Sequence, residues 1–447
     1  MFRIMLAILF VVSASTVIAD APKPNVVFLL ADDLRADAVA AFGNDAVQTP
    51  NLDRLASNAF VFNNAYCFGS NSPAVCQPSR NMILSGNAYF RWKGEKNAPA
   101  AGPSFPRSMA DAGYDTFQVS KKGNIAVELQ KQFQTSHYLN DEKERTSGTP
   151  GKKVVDLALE WLGNRKASDH PYFMYLAFEA PHDPRVAADV YRKRYTGKKI
   201  PLPKNYLPVH PFDNGEMTIR DEQLAPWPRT KTEINRHLLD YYSVITGLDA
   251  QIGRLIDELK TRGEFERTIF IVSSDHGLAL GSHGLMGKQS LYDHSMKSPL
   301  FFTGPGIPKG SSDSLAYLFD IFPTVMELTG SPTPKSIDGK SLVPVMKDPG
   351  ATARKDLFLV YRDVQRAVIA DGYKLIQYPK INRTQLFDLI HDPDELNDLS
   401  SNTDQTNRVQ AMMKLMQRKQ IEFGDDAPLT SPKPSSEVFA PPVQNKS

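Results

Sequence analysis

The chain has 447 residues, of which 23% are charged and 41% hydrophobic, and its net charge at pH 7 is +2. This nearly balanced charge argues against a nucleic-acid-binding protein and against a polybasic membrane-binding face. Only two cysteines are present, Cys67 and Cys76, which excludes a disulfide-stabilised scaffold but leaves one bridge between them open. The length is enough for roughly two or three domains with sizeable cores.

The first 19 residues, MFRIMLAILFVVSASTVIA, have the pattern of a secretory signal peptide. One arginine precedes an apolar core from Ile4 to Val12, and small residues follow. A core of about ten residues is too short to remain as a transmembrane helix, and no later segment approaches ~20 uninterrupted apolar residues. We therefore predict an exported protein, periplasmic or extracellular, or lysosomal or secreted in a eukaryote, with no membrane attachment after cleavage.

Three short apolar runs predict buried parallel strands, because they are rich in Val, Ile and aromatic residues. They are NVVFLL (25–30), PYFMYLAF (171–178) and RTIFIVSS (267–274). Apolar residues at helical spacing predict a helix over 241–263, which Gly263 ends. Strands that alternate with helices indicate an open α/β sheet.

Residues 183–235 are rich in proline and show no sustained period. Such a long excursion is either functional or a tolerated, solvated insertion, and the sequence leaves both readings open. Further along, segments 367–378 and 385–392 predict short antiparallel hairpins, followed by a helix over about 405–423. The residues after Asp425 are rich in Pro and Ser, which predicts disorder.

Polar residues of a particular kind follow each of the three predicted strands. They are Asp32 and Asp33, then Glu179 and His182, then Asp275 and His276. Ligands of open α/β sheets bind outside the carboxyl ends of the strands, so we expect these side chains to converge. Singly, each has a structural explanation, such as a helix cap or a turn, but their coincidence at three strand ends favours a site. The carboxylate oxygens suit Ca²⁺ or Mg²⁺ rather than a thiophilic metal.

The stretch AVCQPSRNMILSG, residues 74–86, predicts a helix over 79–84 that begins near Pro78. Cys76 then lies at the positive end of the helix dipole, and Arg80 brings a permanent charge suited to a tetrahedral oxyanion. Both features lower a thiol pKa, which makes an activated thiolate one option. A thiolate is nevertheless a poor neighbour for carboxylates and a hard cation, so the site favours an oxygen nucleophile.

The pentapeptide CQPSR, residues 76–80, is similar to the CxPSR signature of type I sulfatases, in which the cysteine is oxidised to formylglycine after synthesis. Further segments that resemble the family run along nearly the whole mature chain: NVVFLLADDLR, GYDTFQVSKKGN, FEAPHDP, TIFIVSSDHGLALGSHGLMGKQSLYDHSMKSP, LFDIFPTVMELTG, YKLIQY and LFDLIHDPDEL. The DHG form, with a lysine 13 residues after its Asp, resembles the iduronate sulfatase branch.

The resemblance implies an alkaline phosphatase-like α/β fold, with a large mixed, mostly parallel sheet flanked by helices and a smaller C-terminal α+β subdomain carrying a short antiparallel sheet. We accordingly divide the chain into four parts: a signal peptide (1–19), a catalytic domain (20–340), a C-terminal subdomain (341–425) and a disordered tail (426–447).

The resemblance also implies the roles of particular residues. Ca²⁺, favoured over Mg²⁺, would be held by the modified Cys76 with Asp32, Asp33, Asp275 and His276. Arg80 would stabilise the formylglycine hydrate, Lys121 and Lys288 would bind sulfate oxygens, and His182 would protonate the departing alcohol. One hydroxyl of the hydrate would displace the alcohol from sulfur, and the other would then expel inorganic sulfate.

Several consequences of the resemblance are open at this stage. Many relatives have Asn where this chain has His276, and a His near the positions of Gly123 and Asn124. His283 either contacts substrate or has a structural role. Cys67 should be a free thiol, because a bridge to Cys76 would abolish the aldehyde.

The resemblance implies a sulfated carbohydrate substrate and, as a partner, a formylglycine-generating or sulfatase-maturing enzyme. Two alternatives remain from sequence: a phosphate-ester hydrolase of the same superfamily, and a catalytically silent glycan-binding relative in which Cys76 is never oxidised.

Overall fold

The computed structural model describes residues 23–93, 95–166 and 170–442. The predicted signal peptide, residues 1–19, lies outside these residues. The strands of the described chain are β1 (Asn25–Ala31), β2 (Phe60–Tyr66), β3 (Gly69–Ser70), β4 (Asp115–Lys121), β5 (Thr135–Leu139), β6 (Tyr172–Ala177), β7 (Thr268–Ser274), β8 (Leu300–Thr303), β9 (Gly310–Tyr317), β10 (Asp356–Tyr361), β11 (Gln365–Ala370), β12 (Tyr373–Tyr378) and β13 (Arg383–Asp388).

The α-helices of the same residues are α1 (Pro50–Ala56), α2 (Cys76–Ser85), α3 (Phe105–Asp111), α4 (Val127–Gln130), α5 (Asp141–Thr146), α6 (Lys152–Gly163), α7 (Asp189–Arg192), α8 (Lys231–Thr261), α9 (Asp293–Met296), α10 (Ile321–Leu328), α11 (Val343–Lys347) and α12 (Thr406–Phe423). None of the helices in the described ranges is both long enough and apolar enough to cross a bilayer.

The large sheet has eight strands in the order β5-β4-β6-β1-β7-β8-β2-β9. The three strands predicted from sequence are neighbours at its centre, because β1 pairs in parallel with β6 on one side and with β7 on the other. Strand β8 runs antiparallel to β7 and β2, which makes the sheet mixed but mostly parallel. The carboxyl ends of β1, β6 and β7 therefore meet at one edge, as predicted.

Both faces of this sheet are covered, as a central run of apolar residues requires. Along β1, Val26, Phe28 and Leu30 belong to one buried apolar cluster, and the alternating residues belong to a second cluster on the opposite face. Helix α8 lies against the second cluster and starts ten residues before the predicted 241. Thr230 caps it by accepting a hydrogen bond from the Glu233 amide.

The second sheet has the order β13-β12-β11-β10-β3 and confirms the predicted C-terminal hairpins. Its edge strand β3 comes from the N-terminal part of the chain, seven residues before Cys76. Gly69 in β3 has φ of 116°, and a Cβ there would lie 1.8 Å from the Val360 carbonyl oxygen. Only glycine fits this approach, which fastens the Cys76 segment to the C-terminal sheet.

Residues 426–442 are held by specific hydrogen bonds, so the predicted disordered tail is wrong for this segment. The Asp213 amide donates to the Glu437 carbonyl at 2.8 Å, and the Ser435 amide donates to the Lys380 carbonyl at 2.8 Å. The amino-acid composition indicates only that this segment can bury little apolar surface. The segment is held by main-chain hydrogen bonds to the rest of the folded chain, which composition does not reveal. The domain boundary at 340/341 stays a prediction.

Candidate active site

The polar residues that follow β1, β6 and β7 meet at one edge of the large sheet. Ligand atoms of four side chains lie within 4.8 Å of one another: Asp32, Asp33, Cys76 and His276. Asp275 lies beside this group, where its Oδ1 is 3.5 Å from His276 Nε2 and accepts the Asp33 amide at 3.3 Å. The convergence predicted from the strand ends is therefore present, with Asp275 at the margin of the group.

Cys76 occupies the first turn of α2 and is only 1% exposed. Its Sγ lies 3.3 Å from Asp32 Oδ1, 3.2 Å from His276 Nε2 and 3.4 Å from Lys288 Nζ. Burial, followed by the Asp32 carboxylate, raises the pKa of the thiol well above its ordinary value. The unmodified side chain is therefore a neutral thiol and a poor nucleophile, contrary to the activated thiolate considered from sequence.

Arg80 lies one turn into α2, fully buried between two carboxylates. Its Nε donates to Asp275 Oδ2 at 2.9 Å, and its Nη2 lies 3.2 Å from Asp32 Oδ2. Among the described residues, Nη1 and Nη2 have no hydrogen-bond partner of acceptable geometry. Buried donors of this kind normally have a partner, so they are available to an anionic ligand.

Two buried lysines complete the charge arrangement. Lys121, at the end of β4, donates to the Asp32 carboxylate, and Lys288 Nζ donates to Asp33 Oδ1 at 2.8 Å. Although burial opposes it, Lys121 and Arg80 hold the pKa of Asp32 well below its usual range. The site thus combines carboxylates with three cationic groups that can face a tetrahedral anion.

His182 follows β6 and is 10% exposed, with Nε2 at 4.0 Å from Asp33 Oδ2. Its Nδ1 lies 3.0 Å from Arg145 Nη1 and 2.7 Å from the Asp183 carbonyl oxygen. Burial, and then Lys288, lower the pKa of His182. The imidazole is consequently neutral at pH 7 and is oriented by main-chain and side-chain contacts on its far side.

Two acidic groups reach this region without having been assigned a role from sequence. Asp183 has a carboxylate oxygen within 4.8 Å of ligand atoms of Asp33 and His182. Glu179 lies 3.6 Å from Arg145, and burial raises the pKa of Glu179 to about 8. Glu179 was visible as a strand-end residue, whereas Asp183 had no signal beyond its place beside His182.

The positions left open from sequence have structural explanations. A Cβ on Gly123 would lie 2.7 Å from Asp141 Oδ2, and Asn124 adopts a left-handed φ of 49°. His283 stacks on Tyr292, which places it in the structural role. Cys67 is a buried free thiol, as expected, and burial raises its pKa to about 12.

Comparison with known proteins decides the family. The family model described as Sulfatase matches residues 24–331, and the model described as N-sulphoglucosamine sulphohydrolase, C-terminal, matches residues 281–422. The chain belongs to the sulfatase family. It is accordingly a sulfuric ester hydrolase, which confirms the predicted enzyme class; the resemblance to the iduronate branch stays a prediction.

Curated relatives match this sulfatase over most of its length. It is 24% identical to N-acetylglucosamine-6-O-sulfatase of Bacteroides thetaiotaomicron, over 91% of this chain and 88% of the relative. It is 28% identical to a sulfatase of Formosa agariphila, over 88% of this chain and 86% of the relative.

Solved structures confirm the alkaline phosphatase-like fold of this sulfatase. A protein in complex with its substrate D-glucosamine-2-N,6-O-disulfate superposes with a TM-score of 0.78, at 23% identity, covering 91% of this chain and 99% of that one. The phosphonate monoester hydrolase of Agrobacterium radiobacter superposes with a TM-score of 0.76, at 18% identity, covering 90% and 96%.

Proposed function

We propose that this sulfatase removes sulfate from sulfated carbohydrates, using a formylglycine made from Cys76 and a bound Ca²⁺ ion. The observation that carries the proposal is the position of Cys76. The side chain lies at the start of α2, among the ligand atoms of two aspartates and a histidine, and within 3.4 Å of the Lys288 ammonium. A nucleophile, a cation site and anion-binding groups thus share one small volume.

The donor set fits a hard divalent cation. Asp32, Asp33 and Asp275 contribute carboxylate oxygens, which Ca²⁺ prefers, whereas the His276 imidazole is an unusual Ca²⁺ ligand. We propose that these four residues and the modified Cys76 hold the ion, with Mg²⁺ the second choice because it demands stricter octahedral geometry. When bound there, the ion and the formylglycine would supply a hard oxygen nucleophile.

The remaining residues bind the sulfate and move a proton. Lys121 and Lys288 neutralise the charge that develops on the sulfate oxygens. Arg80, whose Nη1 and Nη2 make no hydrogen bond of acceptable geometry among the described residues, stabilises the formylglycine hydrate. His182 delivers a proton to the departing alcohol oxygen. Because burial lowers the pKa of His182, this role requires the negative charge of a bound sulfate ester to favour the protonated imidazole.

A sulfated carbohydrate is the substrate class that the relatives support. The name of one relative specifies N-acetylglucosamine 6-O-sulfate, and a structural neighbour was solved with a sulfated glucosamine. The leader-like first 19 residues support export to the periplasm or the exterior, where such polymers are found. A formylglycine-generating or sulfatase-maturing enzyme in the host is the partner that this proposal requires.

Intact-mass spectrometry and sulfate release test the proposal together. Conversion of Cys76 to formylglycine lowers the mass by about 18 Da, and the converted enzyme should release sulfate from a panel of sulfated mono- and oligosaccharides. Cys76→Ala should fold normally and release none. Sulfate release by Cys76→Ala at the wild-type rate would reject the mechanism, and an active enzyme with an unmodified thiol would reject formylglycine.

Phosphate-ester hydrolysis is a second candidate, because a phosphonate monoester hydrolase shares the fold at a TM-score of 0.76. The two candidates are separated by assaying p-nitrophenyl sulfate and p-nitrophenyl phosphate side by side. We expect the sulfate ester to have the higher kcat/KM, and a preference for the phosphate ester would favour the alternative.

A further inference from the structure

Three consecutive residues of the proline-rich stretch contact the two loops that carry His182 and Lys288. Arg220, Asp221 and Glu222 begin the short 3-10 helix Arg220–Leu224, and we name them the 220–222 bridge. Their side chains point to different partners, so three neighbouring positions connect segments that are far apart in the chain.

Arg220 holds the turn that carries His182. Its Nη1 donates to Asp183 Oδ1 at 2.8 Å, and its Nη2 contacts the other carboxylate oxygen of Asp183. This two-point contact fixes the Asp183 side chain, while the Asp183 carbonyl oxygen lies 2.7 Å from His182 Nδ1. The imidazole is therefore oriented by a residue that Arg220 immobilises.

Asp221 holds the other loop next to Lys288. Its Oδ2 accepts a hydrogen bond from Gln289 Nε2 at 2.8 Å, and Gln289 Oε1 in turn accepts the Lys288 amide at 3.0 Å. Asp221 and Gln289 are both buried, so water competes little for these bonds. The main chain of Lys288 is thus fixed from the side of the bridge.

Glu222 binds the main chain of the same loop at the two residues that precede Lys288. Its carboxylate accepts the Met286 amide at 2.9 Å and the Gly287 amide at 2.8 Å. Arg229, fully buried, compensates the charge with an ion pair at 2.7 Å and lies over the Trp227 ring at 4.2 Å. A buried carboxylate with this set of partners has little freedom to move, and the loss of either charge would leave the other uncompensated.

The sheet alone does not fix the separation of His182 and Lys288. His182 lies five residues beyond the end of β6 and Lys288 fourteen beyond the end of β7, both in loops. A displacement of about 1 Å at a reacting group can lower a rate by about 10²-fold, so two loops facing one sulfur need a common support.

We propose that Arg220, Asp221 and Glu222 are positioning residues, which hold His182 and Lys288 at a fixed separation across the site. The inference rests on the proposed function, because it assumes that these two side chains act on the sulfate ester. It also gives the proline-rich stretch a role: the stretch is not a tolerated insertion but part of the catalytic support.

Asp221→Ala is the primary test, with Asp221→Asn as the conservative variant and Gln223→Ala as the control. Gln223 is the next but one residue, is exposed, and donates to Thr218 within the same stretch. We expect Asp221→Ala to lower kcat by about 10- to 100-fold with KM changed less than about threefold, because the misplaced groups act in the transition state. Asp221→Asn keeps an acceptor for Gln289 and should recover most of kcat.

Equal kcat values for Asp221→Ala and Gln223→Ala would overturn the proposal. So would a raised KM with unchanged kcat, since that pattern indicates lost substrate binding rather than lost positioning. Thermal unfolding of each variant accompanies the kinetics, and Gln289→Ala, which breaks the same contact from the other side, replaces Asp221→Ala if that variant does not fold.

A double variant separates a shared support from two independent effects. If Asp221 acts through Gln289, the pair Asp221→Ala and Gln289→Ala should lose no more kcat than the more impaired single variant. Losses that multiply would contradict this route. These outcomes are distinct from a failure of the proposed function. If the matured wild type releases no sulfate, the proposed function is rejected. If the wild type is active and the bridge variants have the same kcat as the wild type, only the positioning role of the 220–222 bridge is rejected.

Discussion

The imidazole of His283 stacks on the phenol ring of Tyr292, with ring centroids 4.0 Å apart and planes 9° from parallel. His283 Nε2 donates to the Glu395 carbonyl at 2.9 Å, which assigns the proton to that nitrogen. The residue thus joins the loop after β7 to the C-terminal subdomain as a neutral ring.

The protein should lose stability as acid protonates this ring. Burial lowers the pKa of His283 from 6.5 to about 4. Since the folded-state pKa is depressed, the stabilisation is complete above pH 6.5 and disappears as pH falls through 4, amounting to about 3 kcal/mol. Urea unfolding at pH 7 and pH 5 should show about 2 kcal/mol of this loss, because pH 5 is still above the folded-state pKa. His283→Phe, which keeps a ring against Tyr292, should flatten the dependence, whereas exposed His170→Gln should not; identical pH profiles for both variants would contradict the assignment.

Gly69→Ala should destabilise the fold strongly, because the new Cβ would meet the Val360 carbonyl oxygen at 1.8 Å. We expect a loss of about 3 kcal/mol or more in the free energy of unfolding. Gly113→Ala is the matched control: Gly113 also has a positive φ, 88°, but a Cβ there meets nothing within 4 Å. Both variants carry the backbone penalty, so the difference between their unfolding free energies measures the clash. Equal losses would show that β3 does not need glycine for space.

Lys288→Met should lower kcat/KM for sulfate release by about 10²- to 10³-fold, because in the proposed mechanism this buried charge neutralises the sulfate oxygens. The methionine keeps a side chain of similar length. Lys297→Met, which removes a partly exposed lysine 3.9 Å from Asp293, should leave the rate near that of the wild type. A wild-type rate in Lys288→Met would remove Lys288 from the sulfate-binding groups.

Removal of divalent cations should lower both stability and activity. Three aspartates, Asp32, Asp33 and Asp275, lie close together beside Cys76. A divalent cation bound there at 100 times its Kd would add about 2.7 kcal/mol to the free energy of unfolding. After dialysis against a chelator, we expect a lower melting temperature, restored by Ca²⁺ more fully than by Mg²⁺. An unchanged melting temperature, with full sulfate release in chelator, would exclude a required cation.

The central strands could be predicted from sequence because they are buried on both faces. Continuous apolar runs bounded by polar residues placed β1, β6 and β7 to within about a residue, close to the limit of any such assignment. Helix α8 was predicted too short, since its first turns carry several charged residues and only its later turns show an unbroken apolar stripe.

The candidate site was predictable where residues directly follow strands, and not where loops bring them together. Asp32 and Asp275 were predicted because they directly follow strands. Arg145, Asp183 and Arg220 reach the site from chain segments that show no periodic pattern of apolar residues. Arg145 lies 37 residues from His182 in the sequence, and Arg220 lies 37 residues from Asp183. No local sequence pattern encodes such pairings. The order of residues 426–442 escaped prediction for the same reason.

The burial of Cys76 limits the time at which another enzyme could modify its side chain. A side chain 1% exposed beneath two loops cannot enter a second active site once the chain has folded. If Cys76 is oxidised to formylglycine as proposed, the oxidation would take place while the polypeptide is still extended, during translation or translocation. Protein that folds first should then stay inactive, however long it is later exposed to the oxidising enzyme.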